Sequence, residues 1–204
     1  MDAPLTDPLA RQRRAARGLA VREQLVDAAL RGCADHGYAG CSVVEICTSA
    51  GLSKNHLFHH FGSKERLVLA ALDKALGAWR NGVAGPATMF PQPERQLDHA
   101  VQQLAALQER GWPGLRCLAA LALARESLPG ELRTATDAAL EEVAAFFRRL
   151  FKESRREGVG YALHAKPKLA AALLCGTLLG AEAAGSSAAE LLGLLRGLLF
   201  APEV

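Results

Sequence analysis

The chain has 204 residues, half of them hydrophobic, and a formal net charge of +3. That apolar content supports a sizeable core and excludes a globally disordered chain. Five cysteines without CxxC spacing exclude a disulfide framework, and the longest apolar run, 169–181, is shorter than the about 20 residues a membrane span needs. The first ten residues carry Asp2, Pro4, Asp7 and Pro8 in place of a signal peptide, so a soluble, cytoplasmic protein without membrane association is expected.

Residues 1–18 are polar, contain Arg11, Arg13, Arg14 and Arg17, and read as a flexible basic arm. A first helix is expected over 19–36, with Val21, Leu25, Ala29 and Cys33 near helical spacing and Gly37 as its stop. Ser42-Val43-Val44-Glu45 is a capping box opening a second helix, in which Val43, Ile46, Cys47 and Ala50 form one apolar stripe. Gly51 ends that helix, and Ser53 caps a third over 54–60. Gly62 and Ser63 then break and recap the chain for a fourth helix that reaches Trp79. Two short helices joined by a tight glycine-containing turn, under a preceding helix, make a helix-turn-helix over 42–61 within a domain at 19–80.

Between Asn81 and Pro93 the prolines and glycines predict a loop and a boundary. Further helices are expected over 94–109, 115–127, 131–157, 167–184 and 187–200. The fold class is therefore all-α, with about nine helices in all and a C-terminal domain at 81–204.

The third helix holds an unusual set of polar residues. His56 and His60 are four apart and share a face, but no Cys, Asp or Glu supplies a third ligand at useful spacing, so no metal is expected. No G-x-S-x-G, P-loop, G-x-G-x-x-G or H-E-x-x-H motif occurs, so neither a cofactor nor an enzymatic activity is expected. Leu57 and Phe61 supply an inward anchor, which leaves Lys54, Asn55, Phe58 and His59 on outward faces with His56 and His60 at the flanks. Asn suits adenine edges, Lys suits guanine or phosphate, and imidazoles donate to phosphate oxygens. The surface reads as one that enters a DNA groove.

The stretch 42–67, SVVEICTSAGLSKNHLFHHFGSKERL, resembles the DNA-binding domain of TetR/AcrR-family transcriptional regulators. The family pattern is T/S-V-x-x-I-A-x-x-A-G-V-S-x-x-x-L-Y-x-H-F-x-S-K-E-x-L. Ser42, Val43, Ile46, Ala50, Gly51, Ser53, Leu57, His60, Phe61, Ser63, Lys64, Glu65 and Leu67 fall in register with it. Three departures matter. Phe58 replaces a tyrosine and loses a phenol, Cys47 replaces a small alanine, and Val44 stands where a polar side chain is usual.

The resemblance implies phosphate contacts near Ser42, Phe58, His60 and Lys64, and groove contacts from Lys54, Asn55 and His59. Ser42, Ser53 and Ser63 also have a purely structural reading as helix caps. The four arginines of the arm fit either contacts to phosphates and an adjacent minor groove or a solvated tail. The resemblance further implies a dimeric repressor that leaves a near-palindromic double-stranded operator when a small molecule binds the C-terminal domain; an activator of the same fold is an alternative. Helix 167–184, with Gly176, Gly180 and Ala184 as a small-residue ridge, and helix 187–200, with Leu191, Leu194, Leu195 and Leu198, are the expected homodimer surface.

Leu121, Phe147 and Phe151 lie on apolar stripes at helical spacing, so an apolar or weakly polar effector is expected; the same stripes also read as plain core. Cys117 lies in GLRCLAALALARES, which resembles a helix of some family members that sense electrophiles through a cysteine. A thiol-sensing repressor is thus a further alternative, beside a buried inert thiol.

Overall fold

The computed structural model describes residues 8–156, and the fold is all-α, with no strand among the described residues. Helix α1 spans Pro8–Gly40. It starts eleven residues before the position expected from sequence, so residues 8–18 are helical where a loose arm was expected. Proline fits the first helical turn, and the Ala-, Arg- and Leu-rich stretch behind it has high helix propensity. Sequence patterning missed the extension because it buries nothing: Leu9 and Leu19 are 61% and 66% exposed. The expected stop holds, since Gly37 leaves helical geometry at φ 68° and ψ 177°.

Helices α2 (Val43–Ala50), α3 (Lys54–Phe61) and α4 (Lys64–Trp79) follow. Each begins at the serine expected to cap it, Ser42, Ser53 or Ser63. The expected loop over 81–93 is partly helical. A π-helical turn, Arg80–Ala84, continues α4 without a break, and α5 (Gly85–Ala87) adds one turn before the chain bends at 88–92. Val83 and Ala87 are fully buried there, and that burial outweighs the turn-forming composition. Helices α6 (Pro93–Glu109) and α7 (Gly114–Leu123) come next. A 3-10 turn, Arg125–Ser127, ends the stretch expected as one helix over 115–127, and α8 runs Gly130–Arg156. The expected helices 167–184 and 187–200 lie outside the described residues.

One continuous apolar core runs through all of this. Leu25 of α1, Leu57 of α3 and Leu67 of α4 meet at one end, and Leu121 of α7 and Leu132, Phe147 and Leu150 of α8 meet at the other; all are fully buried. Each such side chain contributes about 1.5–3 kcal/mol by leaving water. Helix α1 packs lengthwise against α7, and Arg116 of α7 bonds Asp35 of α1 at 2.7 Å. The helix-turn-helix is therefore seated on the helices that follow it. Lys74 of α4 bridges Glu23 and Asp27 of α1 at 2.6 and 2.7 Å.

Candidate nucleic-acid interface

The third helix is held by two side chains and presents the rest. Leu57 is 0% and Phe61 7% exposed, which fixes the helix by its inner edge. Lys54, Asn55, His56, Phe58 and His59 are exposed, His60 is half-buried, and Phe58 is the largest apolar surface among them at 50% exposure. The outward set is thus the one expected from sequence. Among the described residues no cluster of three His, Cys, Asp or Glu is placed to hold a metal.

Caps set the orientation of these helices. The Ser42 hydroxyl accepts from the Glu45 amide at 3.2 Å, while the Ser42 amide donates to the Glu45 carboxylate at 2.8 Å. That amide bond, joined by the Ser42 hydroxyl, holds the Glu45 carboxyl below the usual carboxylate range. Ser63 caps α4 by accepting from the Arg66 amide at 3.2 Å. At α3 the third helical position is His56. Its Nδ1 accepts from the Ser53 amide at 3.3 Å and lies 2.9 Å from the Ser53 hydroxyl. His56 therefore does the work that Glu45 does one helix earlier, a structural role the sequence reading missed because glutamate or glutamine is the usual residue there. It leaves Lys54, Asn55, His59 and the half-buried His60 as the polar residues of α3 with no capping duty.

His59 and His60 stack edge to face with centroids 5.2 Å apart. Burial lowers the His60 pKa, and His59, His56 and Arg22 lower it further by charge repulsion. Arg22 of α1 lies over the Phe61 ring at 5.0 Å, and Gly18 of α1 is so close to His60 that a Cβ there would touch Cε1 at 3.9 Å. Helix α1 thus passes beside the end of α3 and carries Arg11, Arg13, Arg14 and Arg17, all exposed, on its N-terminal extension. Lys64, like Ser42, is an expected contact residue already engaged: its ammonium donates to the Tyr38 carbonyl and sits 4.2 Å above the Tyr38 ring.

The residues expected to line an effector site are buried in the core. Cys117, Leu121 and Phe147 are 0% exposed and Phe151 3%. Phe147 stacks on Trp79 of α4 and on Phe146, at 5.7 and 5.2 Å. Cys117, like Cys33 of α1, is a fully buried thiol. Arg80, just past α4, forks onto Glu142 of α8 with contacts of 2.7 and 2.6 Å.

A short helix pinned by two apolar residues, its polar edge in solvent and a capped helix on either side, defines a helix-turn-helix protein with a helical body behind it. Residues 25–71 match the family model for bacterial regulatory proteins, tetR family. The chain is 33% identical over 81 residues to the HTH-type transcriptional regulator BetI of Rhizobium meliloti (strain 1021), a match covering 40% of each chain. It is 43% identical over 49 residues to the HTH-type transcriptional repressor AcnR of Corynebacterium efficiens, covering 24% of this chain and 26% of that one. The matches thus span well under half the length of these relatives. In fold it is similar to AibR, whose crystal structure is in complex with isovaleryl coenzyme A and operator DNA. The TM-score is 0.75 with 22% identity, over 90% of this chain and 100% of that one. The stretch 25–71 thus matches the DNA-binding domain of the tetR family, and the described helices share the fold of AibR. Among the described residues no helix is long and apolar enough to cross a membrane.

Proposed function

We propose that the protein is a dimeric transcriptional repressor that binds a near-palindromic operator through α3 and leaves it when a small molecule occupies the C-terminal domain. The observation that carries this reading is the exposure of Lys54, Asn55 and His59 on a helix anchored by Leu57 and Phe61. These three read base edges, with Asn55 suited to adenine and Lys54 to guanine or phosphate. Ser42, Phe58, His60 and Lys64 hold the flanking backbone. Capping and phosphate binding do not compete at Ser42: an oxygen that accepts from an amide still has its own proton to donate.

The domain division is 19–80 for operator binding, with the motif at 42–61, and 81–204 for effector binding and dimerisation. The expected pairing surface is 167–184 and 187–200, outside the described residues, and pairing of two copies there would set two reading helices about 34 Å apart, one turn of DNA. The effector is apolar or weakly polar, and Cys117, Leu121, Phe147 and Phe151 line its site. Two helix-turn-helix relatives, one of them a repressor, and a fold neighbour bound to a coenzyme A ester and operator DNA support the reading. A ligand releases operator only by binding better to a conformation whose heads are wrongly spaced. Helix α4 transmits that difference, because it leads from the helix-turn-helix to Trp79, Arg80 and α8.

The direct test is fluorescence anisotropy with DNA from upstream of the protein's own coding sequence, over a salt series. A specific complex weakened by salt is expected. Failure of any sequence-specific, salt-sensitive complex on a genome-wide DNA selection overturns the reading.

A further inference from the structure

Residues 9–17 of α1 are helical and exposed throughout. From Pro8 to Arg22 the sequence holds Arg11, Arg13, Arg14, Arg17 and Arg22 and no acid, so nothing within the stretch offsets its charge. Such a segment works against its own helix. Arg11 and Arg14, Arg14 and Arg17, and Arg13 and Arg17 are like charges three or four apart, and each pair is unfavourable. Arg11 also stands in the first turn, where the helix dipole favours an anion and no acidic residue is present.

The arginines are not equivalent in direction. Arg11, Arg14, Gly18 and Arg22 follow at steps of three, four and four, so they line one stripe of α1. Two contacts fix where that stripe faces. A Cβ on Gly18 would lie 3.9 Å from Cε1 of His60, and the Arg22 guanidinium lies 5.0 Å over the Phe61 ring. The stripe therefore meets the C-terminal end of α3 at Gly18 and Arg22. Arg14 and Arg11 continue it outward from that crossing, about 6 and 10 Å beyond Gly18 along the helix axis. Arg13 and Arg17 lie about 100–140° round the helix from the stripe.

We propose that the N-terminal extension of α1 is a second DNA-binding surface, in which Arg11 and Arg14 hold backbone phosphates beside the stretch that α3 reads. This assignment rests on the operator reading, whose α3 surface it extends. Charge decides the partner. Phosphates supply the anions that the stripe lacks, so binding relieves the repulsion within 11–17 and steadies the helix. Width decides the groove. A helix with its side chains is about 10–12 Å across and the minor groove about 6 Å wide, so the extension lies along the backbone and stays outside that groove. The contact adds affinity without reading bases. An anionic membrane suits the segment less, because the exposed Leu9 and Leu19 stand about 15 Å apart along the axis and form no continuous apolar face.

The test compares the full chain with two double variants, Arg11→Gln with Arg14→Gln and Arg13→Gln with Arg17→Gln, on a duplex recovered by genome-wide selection. Each removes two charges and keeps good helix formers, so the two differ in the face they alter. In fluorescence anisotropy over a salt series, the Arg11 and Arg14 variant is expected to lower the salt slope by about 2 with its sequence preference unchanged. The Arg13 and Arg17 variant keeps the parent slope, and amide exchange over 9–17 slows in the parent when DNA binds. Equal slopes in the two variants, or amide exchange over 9–17 indifferent to DNA, overturn the proposal, while a specific parent complex keeps the operator reading. A parent with no specific complex overturns both. Binding of the parent to phosphatidylserine vesicles, lost in an Arg11 and Arg14 variant whose operator slope is unchanged, would assign the surface to a membrane and overturn the proposal.

Discussion

Lys64 reaches back from the first turn of α4 to the end of α1, where its ammonium bonds the Tyr38 carbonyl and lies 4.2 Å above the Tyr38 ring. One side chain therefore ties the start of α4 to the chain segment that leads into α2. A carbonyl bond to a charged donor and a cation–π contact together are worth about 1–3 kcal/mol in a half-buried setting. Lys64→Met, which keeps the stem, is expected to lower the unfolding free energy by about 1 kcal/mol in urea titration. It also weakens DNA binding. Weakened DNA binding at unchanged stability would show that Lys64 serves the phosphate alone.

Lys54 and Asn55 are separable by what they lose. Asn55→Ala is expected to cost about 1–3 kcal/mol of discrimination at one operator position and to relax its sequence preference. Lys54→Ala weakens binding and lowers the salt slope by about 1 if it neutralises one phosphate. Both variants keep the far-ultraviolet circular dichroism of the parent, because both residues are exposed. A variant that binds every sequence with unchanged affinity removes its residue from the interface.

Burial and the neighbouring cationic groups favour neutral His60 in the free protein. A phosphate beside it favours the imidazolium, so its pKa rises on binding DNA and binding takes up a proton. The extra affinity is complete below the free-state pKa and disappears as pH rises through the DNA-bound value. Operator affinity at constant salt is therefore expected to fall between about pH 5 and 8. His60→Gln flattens the profile. An equal slope in that variant assigns the proton uptake elsewhere.

Trp79 is 2% exposed, with Phe146 edge-on at 5.4 Å and Phe147 at 5.7 Å. It is one of two tryptophans, so Trp112→Phe leaves it as the sole indole reporter. The proposed route from effector to operator runs through this contact, and effector binding is expected to shift the Trp79 emission. Trp79→Ala is expected to cost about 3–5 kcal/mol of stability, measured by denaturant unfolding. An emission spectrum blind to an effector that releases operator would place the route elsewhere.

Local signals were legible and distant ones were not. The Ser42–Glu45 box and the Leu57–Phe61 anchor involve residues three or four apart, and a helix fixes what such residues do to one another. The start of α1 was hidden because the extension buries no stripe, and periodicity detects only helices that bury one. His56 as a cap was hidden by residue type, since histidine at that position reads as a contact residue before it reads as an anchor. The full burial of Cys33, Cys41 and Cys117 depends on tertiary packing, which nothing in their spacing encodes.

The widened turn at Arg80–Ala84 makes a single-residue length change the sharpest probe of the linkage between the two ends of the molecule. There the Gly85 amide reaches the Arg80 carbonyl, and a Cβ on Gly85 would stand 2.8 Å from that oxygen. Such a turn holds one residue more than an α-helical turn, so deleting one residue is expected to return the five-residue bond to a four-residue one and leave the downstream phase on α4 nearly unchanged. Inserting a further residue would instead turn the chain beyond by about 100° and set the Arg80 fork against Glu142 out of register. One peptide unit, far from any contact with DNA, is thereby the slack between the two halves.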